Sequence, residues 1–234
     1  MNANVRSGAP VAASRPYEED AARVRALYRI PVSASLDRIL EVQATSREPT
    51  RKRPAPVFAG EATVWDARAP VGALTRPGGY RLLVLHRTLD VLARDAQLAG
   101  DAFDAAGFIR RISGALAPDG WVAGCVANRY SLATWLGRAT RHDGRATFTV
   151  RSCKHVLEGS GLQDVEIFAV FPDAMAPTAL LSLDADAFRE FSRRELDARR
   201  AWLSRQAYLA RRAFLGTAAG RFLSADIFFW GRRP

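Results

Sequence analysis

The chain predicts an α/β fold: a doubly wound, mostly parallel sheet. Two segments carry that expectation. Leu82 to Leu85 is a short, unbroken apolar run bounded by Gly78, Gly79 and His86, the pattern of a strand buried on both faces. Trp121 to Asn128 (WVAGCVAN) is a second such strand. Between them, Ala105, Ile109, Ile112 and Leu116 recur at helical spacing, which predicts a helix over about Asp101 to Leu116 with one apolar face. The turn APDG, Ala117 to Gly120, breaks it with a proline and a glycine. Strand, helix, strand at this length makes one right-handed crossover. His86 and Asn128 then stand at the carboxyl edge of the sheet, where open parallel sheets bind ligands.

Upstream, Tyr17 to Ile30 predicts a helix. Pro16 suits its first turn, acids Glu18, Glu19 and Asp20 crowd its start, and Arg23, Arg25 and Arg29 its end. Pro31 stops it. Residues 1–16 contain no apolar core region and predict a disordered tail rather than a secretory signal. Arg38 to Val42 (RILEV) and Glu61 to Ala67 (EATVWDA) are further strand candidates. Downstream, a helix is expected over Cys153 to Glu158, ended by Gly159 and Gly161, then strands over Val165 to Pro172 and Asp226 to Trp230. Between those strands lies an insertion at about 174–222. It opens with a proline-rich connection and continues as a long helix, Ala185 to Leu215, carrying eight arginines.

Net charge is +10, nearly all of it arginine, since lysine occurs only at Lys52 and Lys154. Such a field favours anionic surfaces. Nucleic acid is a poor fit, because no aromatic-basic motif accompanies the charge. The two cysteines, Cys125 and Cys153, are too few for a disulfide framework, and Cys153 with His155 lacks a second ligand pair for zinc, so no metal is expected. No apolar run reaches the roughly 18 residues of a membrane span. These features predict a cytoplasmic protein.

LLVLHRTL, ALAPDG and WVAGCVANRYSL, followed by HVLEGSGLQDVEIFAVFPD and FLSADIFFWGRRP, resemble the fourth strand onward of the class I S-adenosylmethionine-dependent methyltransferases. The resemblance covers about two-thirds of the chain. It implies a Rossmann-like sheet whose last strand is antiparallel, and an insertion that builds substrate-binding structure. It places Glu41 at the acidic position of the first strand. It reads Asp66-Ala67 as the pair after the third strand, beside the adenine. His86 becomes the candidate base, because an imidazole titrates near neutrality. Asn128, Arg129 and Tyr130 become substrate contacts.

The sequence departs from the family at the cofactor loop. That loop needs glycines, because backbone turns sharply and approaches the cofactor closely. Gln43, Ala44, Thr45 and Ser46 occupy the region, and Pro49, Pro54 and Pro56 disfavour the helix that should follow. About forty residues separate Glu41 from Leu82, too few for two full crossovers. The N-terminal half is therefore shortened, and the acid that ends the second strand and holds the ribose has no evident counterpart. The expectation is a methyltransferase-like protein with no cofactor, acting as an accessory subunit. Its partner, a protein or a second copy, would dock through Arg193, Arg194, Arg199 and Arg200, a face that also suits an anionic ligand. The alternative is an active methyltransferase using S-adenosylmethionine on a small molecule or a cell-envelope or natural-product precursor.

Overall fold

The computed structural model describes residues 15–30, 38–45, 56–74, 79–131, 148–171, 174–175, 177–183, 190, 194 and 226–234. Its centre is a seven-stranded sheet. In chain order the strands are β1 Ile39–Gln43, β2 Ala62–Asp66, β3 Tyr80–His86, β4 Leu116–Ala127, β5 Gln163–Phe171, β6 Ala179–Ser182 and β7 Asp226–Arg232. Across the sheet they run β2-β1-β3-β4-β7-β5-β6. β1 pairs in parallel with β2 and β3, and β3 with β4. β7 is antiparallel to both β4 and β5, as the resemblance implied. The helices are α1 Arg15–Arg29, α2 Thr88–Ala99, α3 Ala105–Ser113 and α4 Val150–Gly159.

Each face of the sheet is covered. Leu83, Leu85 and Val122 point to the face where Ile109 and Ile112 of α3 and Leu157 of α4 pack, all of them fully buried. Leu82, Val84 and Phe228 point to the opposite face, where Val24, Leu27 and Tyr28 of α1 close the core. Alternation along β3 thus feeds both layers, which is why its sequence is apolar throughout.

Several elements differ from the sequence reading. α2 was not expected. It begins from Arg87 in a left-handed conformation (φ 60°), with no side-chain cap. α3 ends at Ser113, and APDG lies inside β4. Tyr80 pairs with Leu116 and Leu82 with Trp121, so residues 117–120 bulge out of the ladder at Asp119 (φ 61°). β6, in the stretch read as a connection, forms a hairpin with β5. The tail residues 1–14 lie outside the described residues. So does most of the arginine-rich segment, including Arg193, Arg199 and Arg200. Within it Glu190 and Arg194 are helical and joined by an i,i+4 pair of 2.9 Å. Among the described residues, no helix is long and apolar enough to cross a membrane and no cluster of ligating side chains could hold a metal.

Candidate functional site at the carboxyl edge

The parallel strands β1 to β4 deliver Gln43, Asp66, His86 and Ala127 to one edge of the sheet. Asp66 is the register partner of Gln43 and stands at the end of the strand directly beside β1. This corrects the reading of Asp66 as the end of a third strand. Strand β2 is the direct parallel neighbour of β1 and ends in this acid. Asp66 is half-buried, and one carboxylate oxygen accepts the Arg68 amide at 2.9 Å. Arg68 in turn ion-pairs with buried Asp95 on α2, which fixes the turn after β2. Ala67 continues the ladder by donating its amide to the Gln43 carbonyl at 2.7 Å.

Glu41 is differently employed. It is 2 % exposed, and its two oxygens accept the amides of Val57 and Phe58, each at 2.9 Å, and the Gln43 Nε2 at 3.0 Å. The carboxylate caps the segment entering β2 instead of facing open space. Burial of a charge is tolerated because three donors replace its hydration.

His86 ends β3. Its Nδ1 and the Tyr28 hydroxyl share a hydrogen bond of 2.9 Å, and the two rings meet edge to face. Desolvation, reinforced by the adjacent Arg87 guanidinium, lowers the imidazole from its ordinary value to about 3. His86 is therefore neutral at physiological pH and a weaker base than an exposed histidine. Burial likewise raises Tyr28 well above the usual phenol value.

Beside His86 lies an ion cluster that sequence reasoning missed. Arg87 reaches Asp90 at 3.2 Å and Asp226 at 2.7 Å. Asp90 also accepts the Ala127 amide at 2.8 Å, and Asp226 accepts the Ala174 amide at 2.6 Å. The cluster therefore ties the end of β3, the end of β4 and the start of β7 together. Burial pushes Asp90 up to about 6, against the opposing pull of Arg87 and the Ala127 amide. No local signal marks these residues, which are up to 139 positions apart only because β7 returns to the middle of the sheet.

Asn128 is fully buried and its Oδ1 accepts the Tyr130 amide at 3.1 Å, so it shapes the turn leaving β4. That turn presents Arg129 and Tyr130, both exposed.

No protein-family model and no curated protein matches the sequence. Solved structures do match the fold. A SAM-dependent methyltransferase from Archaeoglobus fulgidus is similar over 93% of this chain and 94% of that one, with 12% identity and a TM-score of 0.52. A SAM-dependent methyltransferase of Thermotoga maritima, described as a possible histamine N-methyltransferase, is similar over 94% and 89%, with 8% identity and a TM-score of 0.47. At such identity the likeness speaks for architecture alone. With its central parallel strands, its antiparallel β7 and this full-length match, the chain has the Rossmann-like fold of the class I S-adenosylmethionine-dependent methyltransferases.

Proposed function

We propose that this protein is an S-adenosylmethionine-dependent methyltransferase acting on a small molecule in the cytoplasm. The observation that carries the reading is the position of Asp66. A half-buried carboxylate at the end of the strand beside β1 fits a ribose diol, and among the described residues only one of its oxygens has a partner, the Arg68 amide. Asp66 would hold the nucleoside, with Ala67 beside the base. The bound cofactor would supply an electrophilic methyl group. A neutral His86 suits such a neighbour, since a cationic imidazole would repel a sulfonium. Its role is to orient a substrate by hydrogen bonding rather than to take up a proton. Asn128, Arg129 and Tyr130 border the acceptor side. The test is calorimetry of the purified chain with S-adenosylhomocysteine. Low-micromolar binding that Asp66→Ala weakens by one to two decades supports the reading, the loss of a charge-assisted hydrogen bond being worth roughly 1.5–3 kcal/mol. Absence of binding at millimolar ligand overturns it.

A second reading is favoured by Glu41, whose oxygens are spent on Val57 and Phe58, and by Gln43 and Thr45 in place of glycines. On that reading cofactor binding is lost and the protein serves as an accessory subunit. It would associate with a protein partner or a second copy through Arg193, Arg194, Arg199 and Arg200. Light scattering distinguishes the self-association arm. A dimer that dissociates when salt is raised, or when the four arginines are changed to serine, supports it.

A further inference from the structure

A cleft of about 620 Å³ opens between α2, α3 and α4. Its apolar surface comes from Phe103 ahead of α3, Phe148 ahead of α4, and Val156 on α4. Two basic side chains, Arg129 and His155, also line it. Arg129 is held in place through its backbone, its amide donating to the Phe148 carbonyl at 2.6 Å. Its guanidinium makes no ion pair among the described residues, whereas Arg68, Arg87 and Arg232 each meet a carboxylate. The acid on the cleft wall, Asp104, is committed to capping α3, one of its oxygens accepting the Gly107 amide at 2.8 Å. Asp66 and His86, which face the cofactor edge, do not line the cleft.

We propose that this cleft, which shares Arg129 with the acceptor side of the carboxyl edge, binds a small amphipathic carboxylate. The volume lies within the roughly 300–1,000 Å³ of small-molecule sites, and apolar walls with few polar groups match their usual lining. An apolar or aromatic body lies between Phe103, Phe148 and Val156. The carboxylate meets Arg129, whose planar fork binds such a group through two parallel hydrogen bonds, and His155 flanks it. The one acid on the wall, Asp104, already gives an oxygen to the Gly107 amide, and a neutral ligand leaves the guanidinium unused. The proposal does not depend on nucleoside binding, because Asp66 and Ala67 are not in the cleft lining.

The test is calorimetric titration of the full chain with octanoate and, as a neutral match of equal length, octanamide. Octanoate should bind about tenfold more tightly than octanamide, the effect of one charge-assisted contact. Arg129→Gln should bring octanoate down to the level of the amide while leaving the melting temperature unchanged, since the guanidinium makes no ion pair among the described residues. Ala106→Phe, which fills the cleft from α3, should abolish binding of both. The proposal is overturned by equal affinity for acid and amide, by no octanoate binding at about 10 mM ligand, an affinity under about 3 kcal/mol, or by unaltered binding in Arg129→Gln. Should Ala106→Phe fail to fold, Arg129→Gln alone decides. Titration with S-adenosylhomocysteine on the same sample reports separately on the carboxyl edge.

Discussion

The Tyr28 hydroxyl, on α1, lies 2.9 Å from Nδ1 of His86, at the end of β3. The same ring packs edge to face on Phe58 and Phe228, with centroids 6.3 and 5.2 Å away. One residue of the first helix therefore ties the segment entering β2, the site end of β3 and the last strand. Tyr28→Phe keeps the packing and removes the hydrogen bond. It should destabilise the protein by about 1–3 kcal/mol, the cost of leaving a desolvated imidazole nitrogen unpaired. A urea midpoint unchanged from wild type would show that water replaces the hydroxyl.

Stability should respond to acid through two opposed groups. His86 is lowered to about 3 in the fold, so the unfolded chain binds its proton first. Its contribution is complete above about pH 6.5 and is lost as pH falls toward 3, by up to about 1.4 kcal/mol per pH unit. Asp90 is raised to about 6, so the fold binds its proton first. Its ionised form weakens the fold above that pH, and the penalty fades as pH falls from 6 toward 4. Relative to wild type, His86→Gln should gain stability on acidification below pH 6.5. Asp90→Asn should lose its relative advantage over the same range. Thermal melts at pH 4, 5, 6 and 7 check both, and parallel curves for all three proteins would refute the assignment.

Glu41→Gln should be costly although it is nearly isosteric. The carboxylate accepts from three donors, and an amide turns an NH₂ toward one of them. A loss of about 1.5–3 kcal/mol is expected, read as a lower urea midpoint at constant m-value. A change under about 0.5 kcal/mol, typical of a surface substitution, would mean that the carboxylate is not the cap of the 57–58 segment.

Gly124→Ala tests the packing of β4 on β7. A Cβ there would stand 2.2 Å from Cζ of Phe229, its partner across the ladder. Phe229 is fully buried and has nowhere to swing. Overpacking should cost about 1–3 kcal/mol, visible as a lower melting temperature.

The strands that were legible are those whose burial is written locally. β3, β4 and β5 read as apolar runs, and β1 was displaced by a single residue. What could not be read was pairing. Nothing near Asp66 states that its strand lies against β1, and a match by position along the chain assigned it to the wrong strand. α2 escaped because it starts at a left-handed arginine with no capping side chain, so the usual punctuation is missing. The proline and glycine of APDG are genuine breakers, but here they break the ladder rather than join two elements. The Arg87, Asp90 and Asp226 cluster depends on the return of β7 and has no linear signature.

β7 lies between β4 and β5, flanked on both sides, yet it comes last in chain order among the strands of this sheet. Without β7, β2-β1-β3-β4 and the β5–β6 hairpin would be two separate sheets, each with an unpaired edge. The two close only when Asp226–Arg232 inserts between them, and an open edge is a template for a wrong partner until then. Trimming the chain before Asp226 would thus remove the seam that joins its two halves, and should yield aggregation rather than a smaller folded protein.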